Sequence, residues 1–95
     1  MEKVTCETPT PGKNPIKIAR WKYDLLADAI LKVLPKAKPG LAFQELPAMV
    51  GEILGEDRTK IGSLTWYITT VKLDLEAKGK LQKVTGVKPQ YLIKN

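Results

Sequence analysis

Apolar residues recur at helical spacing along residues 63–75 (SLTWYITTVKLDL), and the pattern continues through Glu76, Ala77 and Lys78 to Gly79. At 3.6 residues per turn, side chains three and four apart stack on one face, so Leu64, Ile68, Val71 and Leu75 form an apolar stripe. Thr65, Thr69, Lys72 and Glu76 lie about a third of a turn away, and Trp66, Thr70, Leu73 and Ala77 fill the rest. Only the Thr65 stripe suits water or a ligand. Ser63 stands where a hydroxyl accepts from first-turn amides, and Gly79 where a left-handed residue closes a helix.

The same periodicity predicts a first helix over 17–34, with Ile18, Leu26, Ile30, Val33 and Leu34 on one side and Tyr23 beside them. Pro35 ends it. A basic connector over 36–40 leads to a short extended segment, Leu41, Ala42 and Phe43. A second helix over 44–54 tolerates Pro47 near its start, where amides need no internal partner, and Gly55 closes it. Leu46, Met49, Val50, Ile53 and Leu54 supply its core face. Residues 55–62 (GEDRTKIG) read as a linker. After Gly79, residues 81–84 and 90–93 flank a turn through Thr85 and Gly86, which predicts a two-stranded hairpin. Residues 1–15, with three prolines and almost nothing apolar, read as a disordered tail. The expectation is an α+β fold, mainly helical, in one domain over 16–95. Its order is helix, strand, helix, helix, strand, strand.

Composition narrows the chemistry. Among 95 residues there is no histidine and one cysteine, Cys6, so an internal disulfide, a zinc site and imidazole catalysis are not expected. No serine or cysteine has a histidine to activate it, and no Gly-rich loop precedes a phosphate-binding helix. The adjacent carboxylates Glu56 and Asp57 have basic neighbours and read as surface. Neither enzyme nor cofactor is expected. No apolar run approaches the length of a membrane span, and the opening residues lack a signal peptide's apolar block, so the expected setting is cytoplasmic. The net charge of +6 is uneven: residues 1–40 carry +4, residues 41–57 carry −4 and residues 58–95 carry +6. A basic final third suits an anionic partner, of which the phosphate backbone is the commonest.

The order of elements, with Val71, Leu75, Gly79 and Leu81 spaced four, four and two apart, resembles the recognition helix and wing of bacterial winged helix-turn-helix regulators. More narrowly, Pro39-Gly40-Leu41, TWYITTVKLDLEAKG over 65–79 and Pro89-Gln90 resemble a family of small bacterial winged-helix proteins to which no activity is assigned. The resemblance covers about 17–93 and implies DNA binding, with transcriptional regulation as its use. By that reading the long helix enters the major groove through Ser63, Thr65, Thr69 and Lys72. Arg58 and Lys60 precede it, while Lys80, Lys83 and Lys88 hold the flanking backbone.

Two features oppose strong sequence readout. The reading face lacks the Arg, Asn and Gln side chains that pair with base edges, and it carries Glu76, with Asp74 nearby. Glu76 is expected to pair with Lys72 or Lys80, and Asp74 with Lys78, as solvated helix surface. Trp66 and Leu73 support an alternative. A central helix is commonly covered on two sides, which would place Trp66 beneath the second helix. Left open, the Trp66 and Leu73 face suits a protein partner or a second copy, without DNA binding.

Overall fold

The computed structural model describes residues 2–8, 15–37, 39–84 and 90–95. The class is α+β. Strands β1 (Lys3–Cys6) and β2 (Ile16–Ala19) form an antiparallel hairpin that leads directly into α1 (Arg20–Val33). Strand β3 (Leu41–Ala42) and one 3₁₀ turn (Phe43–Glu45) lead to α2 (Leu46–Leu54). Short α3 (Asp57–Ile61) and long α4 (Leu64–Ala77) follow, and β4 (Leu81–Lys83) and β5 (Tyr91–Lys94) close the chain. The second sheet has the order β3-β5-β4, all antiparallel.

From α1 onward the expected order of elements is present, with α3 added. The front of the chain departs from expectation. Residues 3–6 form a strand where a disordered tail was expected, and the start of the expected first helix, with Ile18, is strand instead. Val4, Cys6, Ile16 and Ile18 share one face of the hairpin, since each stands opposite another across the ladder. Cys6 and Ile18 are buried on that face. The amide of Arg20 donates to the carbonyl of Glu2 at 2.9 Å, which fixes the hairpin to the start of α1.

The core lies between α1, α2, α4 and the second sheet. Leu26, Ile30, Leu46, Val50, Ile68, Val71 and Leu92 are wholly enclosed there, each contributing about 1.5–3 kcal/mol. Ile61, placed in the expected linker, is buried too and anchors α3.

Several sequence signals act as expected. Pro47 sits at the start of α2, and α1 stops before Pro35. At the end of α4, Gly79 takes φ +75°, and the Lys80 amide reaches back to the Leu75 carbonyl at 2.8 Å. Gly40 is required by a close approach. Its φ is +87°, and a Cβ there would stand 2.3 Å from the Leu92 carbonyl oxygen.

Asp74 departs from its expected place. It pairs with Lys78 at 2.9 Å as its spacing suggests, but it is fully buried. Strand β1 and α1 cover it: the Glu7 amide donates to Oδ1 at 2.9 Å, and the Tyr23 hydroxyl donates to Oδ2. Burial and the carboxylate beside it push the Cys6 thiol up to about 11. Burial, and donation to Asp74, raise Tyr23 well above the usual phenol range.

Candidate nucleic-acid interface

Helix α4 presents a narrow stripe to solvent. Thr65 and Trp66 are exposed near its start, Thr69 and Leu73 are half-buried along its length, and Ala77 is exposed at its end. The remaining faces are enclosed: Ile68, Val71 and Leu75 by the core, and Thr70, Lys72 and Asp74 at their own sites. The outward stripe is therefore neutral and partly apolar.

Lys72 does not face outward. Its residue is 3% exposed, and its ammonium lies 3.3 Å from Oε1 of Glu76 and 5.0 Å from the centre of the Phe43 ring. Projection of the helix alone placed it at the groove, but Phe43, entering from the turn before α2, covers this side, and Glu76 one turn on neutralises it. Burial lowers the pKa of Lys72, opposed by Glu76. The ion pair is not an aligned hydrogen bond, so Oε1 of Glu76 has no aligned donor. Lys83 approaches the other carboxylate oxygen at 3.9 Å, which joins β4 to the same cluster.

The other expected contact residues divide into groups. Arg58, Lys60, Ser63, Thr65, Lys80 and Lys83 are exposed, while Lys88 lies outside the described residues. Lys60 pairs loosely with Asp57 at 3.6 Å. The side chain of Arg58 lies over Gly51 of α2, where a Cβ would meet its guanidinium at 3.6 Å. The Ser63 hydroxyl makes no capping bond to α4, contrary to expectation. Thr69 donates its hydroxyl to the carbonyl of Thr65 at 2.9 Å, which leaves its oxygen lone pairs free to accept. Positive charge thus precedes α4 at Arg58 and Lys60 and follows it at Lys80 and Lys83, about 21 Å away along the helix.

Trp66 is 46% exposed, so α2 does not cover it as the ordinary packing of a central helix would. It meets Tyr67 edge to face, with ring centroids 4.9 Å apart. The sequence reading missed what lies beyond Tyr67. Lys22 of α1 donates to the Tyr67 hydroxyl at 3.2 Å and to the Ile61 carbonyl at 3.1 Å, and its ammonium lies 5.5 Å from the Trp21 ring. The signal was present as two aromatic pairs, Trp21-Lys22 and Trp66-Tyr67, but nothing in one helix announces its neighbour.

The adjacent Glu56 and Asp57 stand at the start of α3. The Glu56 carbonyl accepts from the Thr59 hydroxyl, and Asp57 opens α3. Among the described residues, no group of three metal-ligating side chains is placed to hold an ion. Among them also, no helix is long and apolar enough to cross a membrane.

The model of a family of unknown function, DUF6958, matches residues 3–92. The chain belongs to this family. The matched span begins at the first residue of β1, so the amino-terminal hairpin lies within the DUF6958 match. No curated protein and no solved structure matches the chain.

Proposed function

We propose that this DUF6958 protein is a winged helix-turn-helix module that binds nucleic acid, DNA in the first instance, mainly through the phosphate backbone. One observation carries the reading: exposed cations stand at both ends of α4, whose outward stripe is open. Helix α4 takes the place of the recognition helix and β4–β5 that of the wing, an analogy of fold that supports architecture more than activity. Because Lys72 is internal, the contacts fall to Arg58, Lys60, Lys80 and Lys83, with Ser63, Thr65 and Thr69 supplying neutral hydrogen bonds. Base-specific readout is weak, since the open stripe has no forked donor. The role is that of a binding protein, with transcriptional regulation its natural use and no catalytic step.

Affinity measured against salt tests this directly. About four phosphate contacts give a log–log slope of roughly −3 to −4. Arg58→Glu and Lys83→Glu each flatten the slope, while Lys72→Met leaves it unchanged. A slope near zero for the unaltered protein overturns the proposal.

The exposure of Trp66 favours a second reading, in which the Trp66 and Leu73 stripe seats a protein partner or a second copy. That reading predicts a mass that rises with concentration and falls back on Trp66→Ala, with no binding to DNA at about 0.1 M salt.

A further inference from the structure

Both tryptophans of this chain are exposed, Trp21 by 38% and Trp66 by 46%, although indoles rank among the largest apolar side chains available to a small core. They are linked through two half-buried side chains, Lys22 and Tyr67. Trp21 stands beside Lys22, Lys22 lies 4.6 Å from the Tyr67 ring, and Tyr67 touches Trp66. The Lys22 ammonium has two neutral acceptors, the Ile61 carbonyl and the Tyr67 hydroxyl, and makes no ion pair among the described residues. A positive charge is therefore held between the exposed Trp21 ring and the half-buried Tyr67 ring, which Trp66 in turn meets. The nearest acids on the Trp21 side are Glu2, which is bound to Arg20, and Asp24, which shares a shallow depression with Trp21. The Trp66 side follows Arg58 and Lys60 and carries more positive charge.

We infer that this surface binds single-stranded nucleic acid, with unpaired bases stacked on Trp66 and Trp21 and a backbone phosphate drawn to Lys22 between them. The inference rests on the nucleic-acid reading above and narrows it. Every base has a flat face that stacks on an aromatic ring, but only an unpaired base leaves that face free, so exposed indoles flanked by cations fit a single strand. The open stripe of α4 lacks the side chains that read groove edges, which removes the main advantage of a duplex. A second copy of this chain is a poor occupant, because each copy carries a net charge of +6.

Fluorescence anisotropy with a labelled oligothymidylate of about 12 nucleotides, and with a random duplex of similar length, tests the inference at about 0.1 M salt. The expected result is at least about tenfold tighter binding of the single strand, with quenching of tryptophan emission. Trp66→Ala weakens that binding by about 5- to 150-fold, the range of one stacked base, and Trp66→Phe restores part of it. Both variants stay folded under the assay conditions, since Trp66 stands outside the core cluster and Trp66→Ala loses only its half-exposed packing against Tyr67. Equal or tighter binding of the duplex, or no effect of Trp66→Ala, overturns the inference while leaving the nucleic-acid reading in place. Failure of both ligands to bind overturns both. A dimer that dissociates on Trp66→Ala, without nucleic-acid binding, assigns the surface to protein.

Discussion

The hydroxyl of Tyr23 on α1 donates to the enclosed carboxylate of Asp74 on α4, across 51 positions of sequence. With the Glu7 amide and the Lys78 ammonium it gives that carboxylate three donors from three parts of the chain. Tyr23→Phe removes one donor from a buried charge and is expected to cost about 1–3 kcal/mol, read from urea unfolding. Lys78→Ala, at a site partly open to water, is expected to cost less. A Tyr23→Phe protein as stable as its parent would show that the contact carries no weight.

Alkaline pH should weaken the fold. A Cys6 thiol held near 11 in the folded chain and near 9.0 in the unfolded one keeps its proton longer when folded. Its contribution is therefore fully present below pH 9 and lost as pH rises towards 11. Tyr23, raised in the same sense, extends the loss to higher pH, while the lowered Lys72 works against it. Urea unfolding at pH 8 and pH 11 separates the terms: the stability difference between the parent and Cys6→Ala shrinks at the higher pH. The same burial predicts slow alkylation of Cys6 by iodoacetamide at pH 8 until urea unfolds the chain.

Glu76→Ala should be costly and the double change cheap. Removing Glu76 leaves the enclosed Lys72 ammonium without its neutralising partner, an effect of about 3 kcal/mol for a pair as shielded as this. Replacing both, Lys72→Met with Glu76→Leu, removes the buried charges together and is expected to fall within about 1 kcal/mol of the parent. Thermal unfolding of the three proteins settles the comparison, and equal losses for single and double changes would contradict it.

Two glycines make opposite predictions. Gly40→Ala places a methyl group against the Leu92 carbonyl at a backbone angle that side chains avoid, and should cost several kcal/mol, of the order of 3. Gly51→Ala adds a methyl at ordinary van der Waals distance from Arg58 and Leu64 inside α2, and should stabilise by about 0.5–1 kcal/mol. Chemical denaturation of the two variants measures both.

The three longer helices and the β4–β5 pair were legible because their signals are local. Pro35, Pro47 and Gly79 act within a few residues of themselves, and the Leu64 stripe repeats often enough to fix its own face. What escaped depends on partners distant in the chain. Residues 3–6 offer Val4 and Cys6 at alternate positions, too few to mark a strand until Ile16 and Ile18 arrive opposite them. Ile18 was drawn into the helix pattern because a single apolar residue satisfies either period. In α3 only Ile61 is apolar, so no repeat exists to detect. The candidate site divides in the same way: Arg58, Lys60, Lys80 and Lys83 are exposed as charge alone suggests, whereas Lys72 turns inward because Phe43, 29 positions earlier, covers it. Helical projection places a side chain around an axis but does not show what will stand in front of it.

Asp74 also governs when this fold can close during synthesis. Strand β1 is made before the rest of the described fold, and the carboxylate that receives the Glu7 amide is made 67 residues later. Until then Cys6 and Ile18 have no finished interior to enter, and the amino end must wait beside a partly built α1. The nascent chain is thus expected to complete this interior only after α4 has been made.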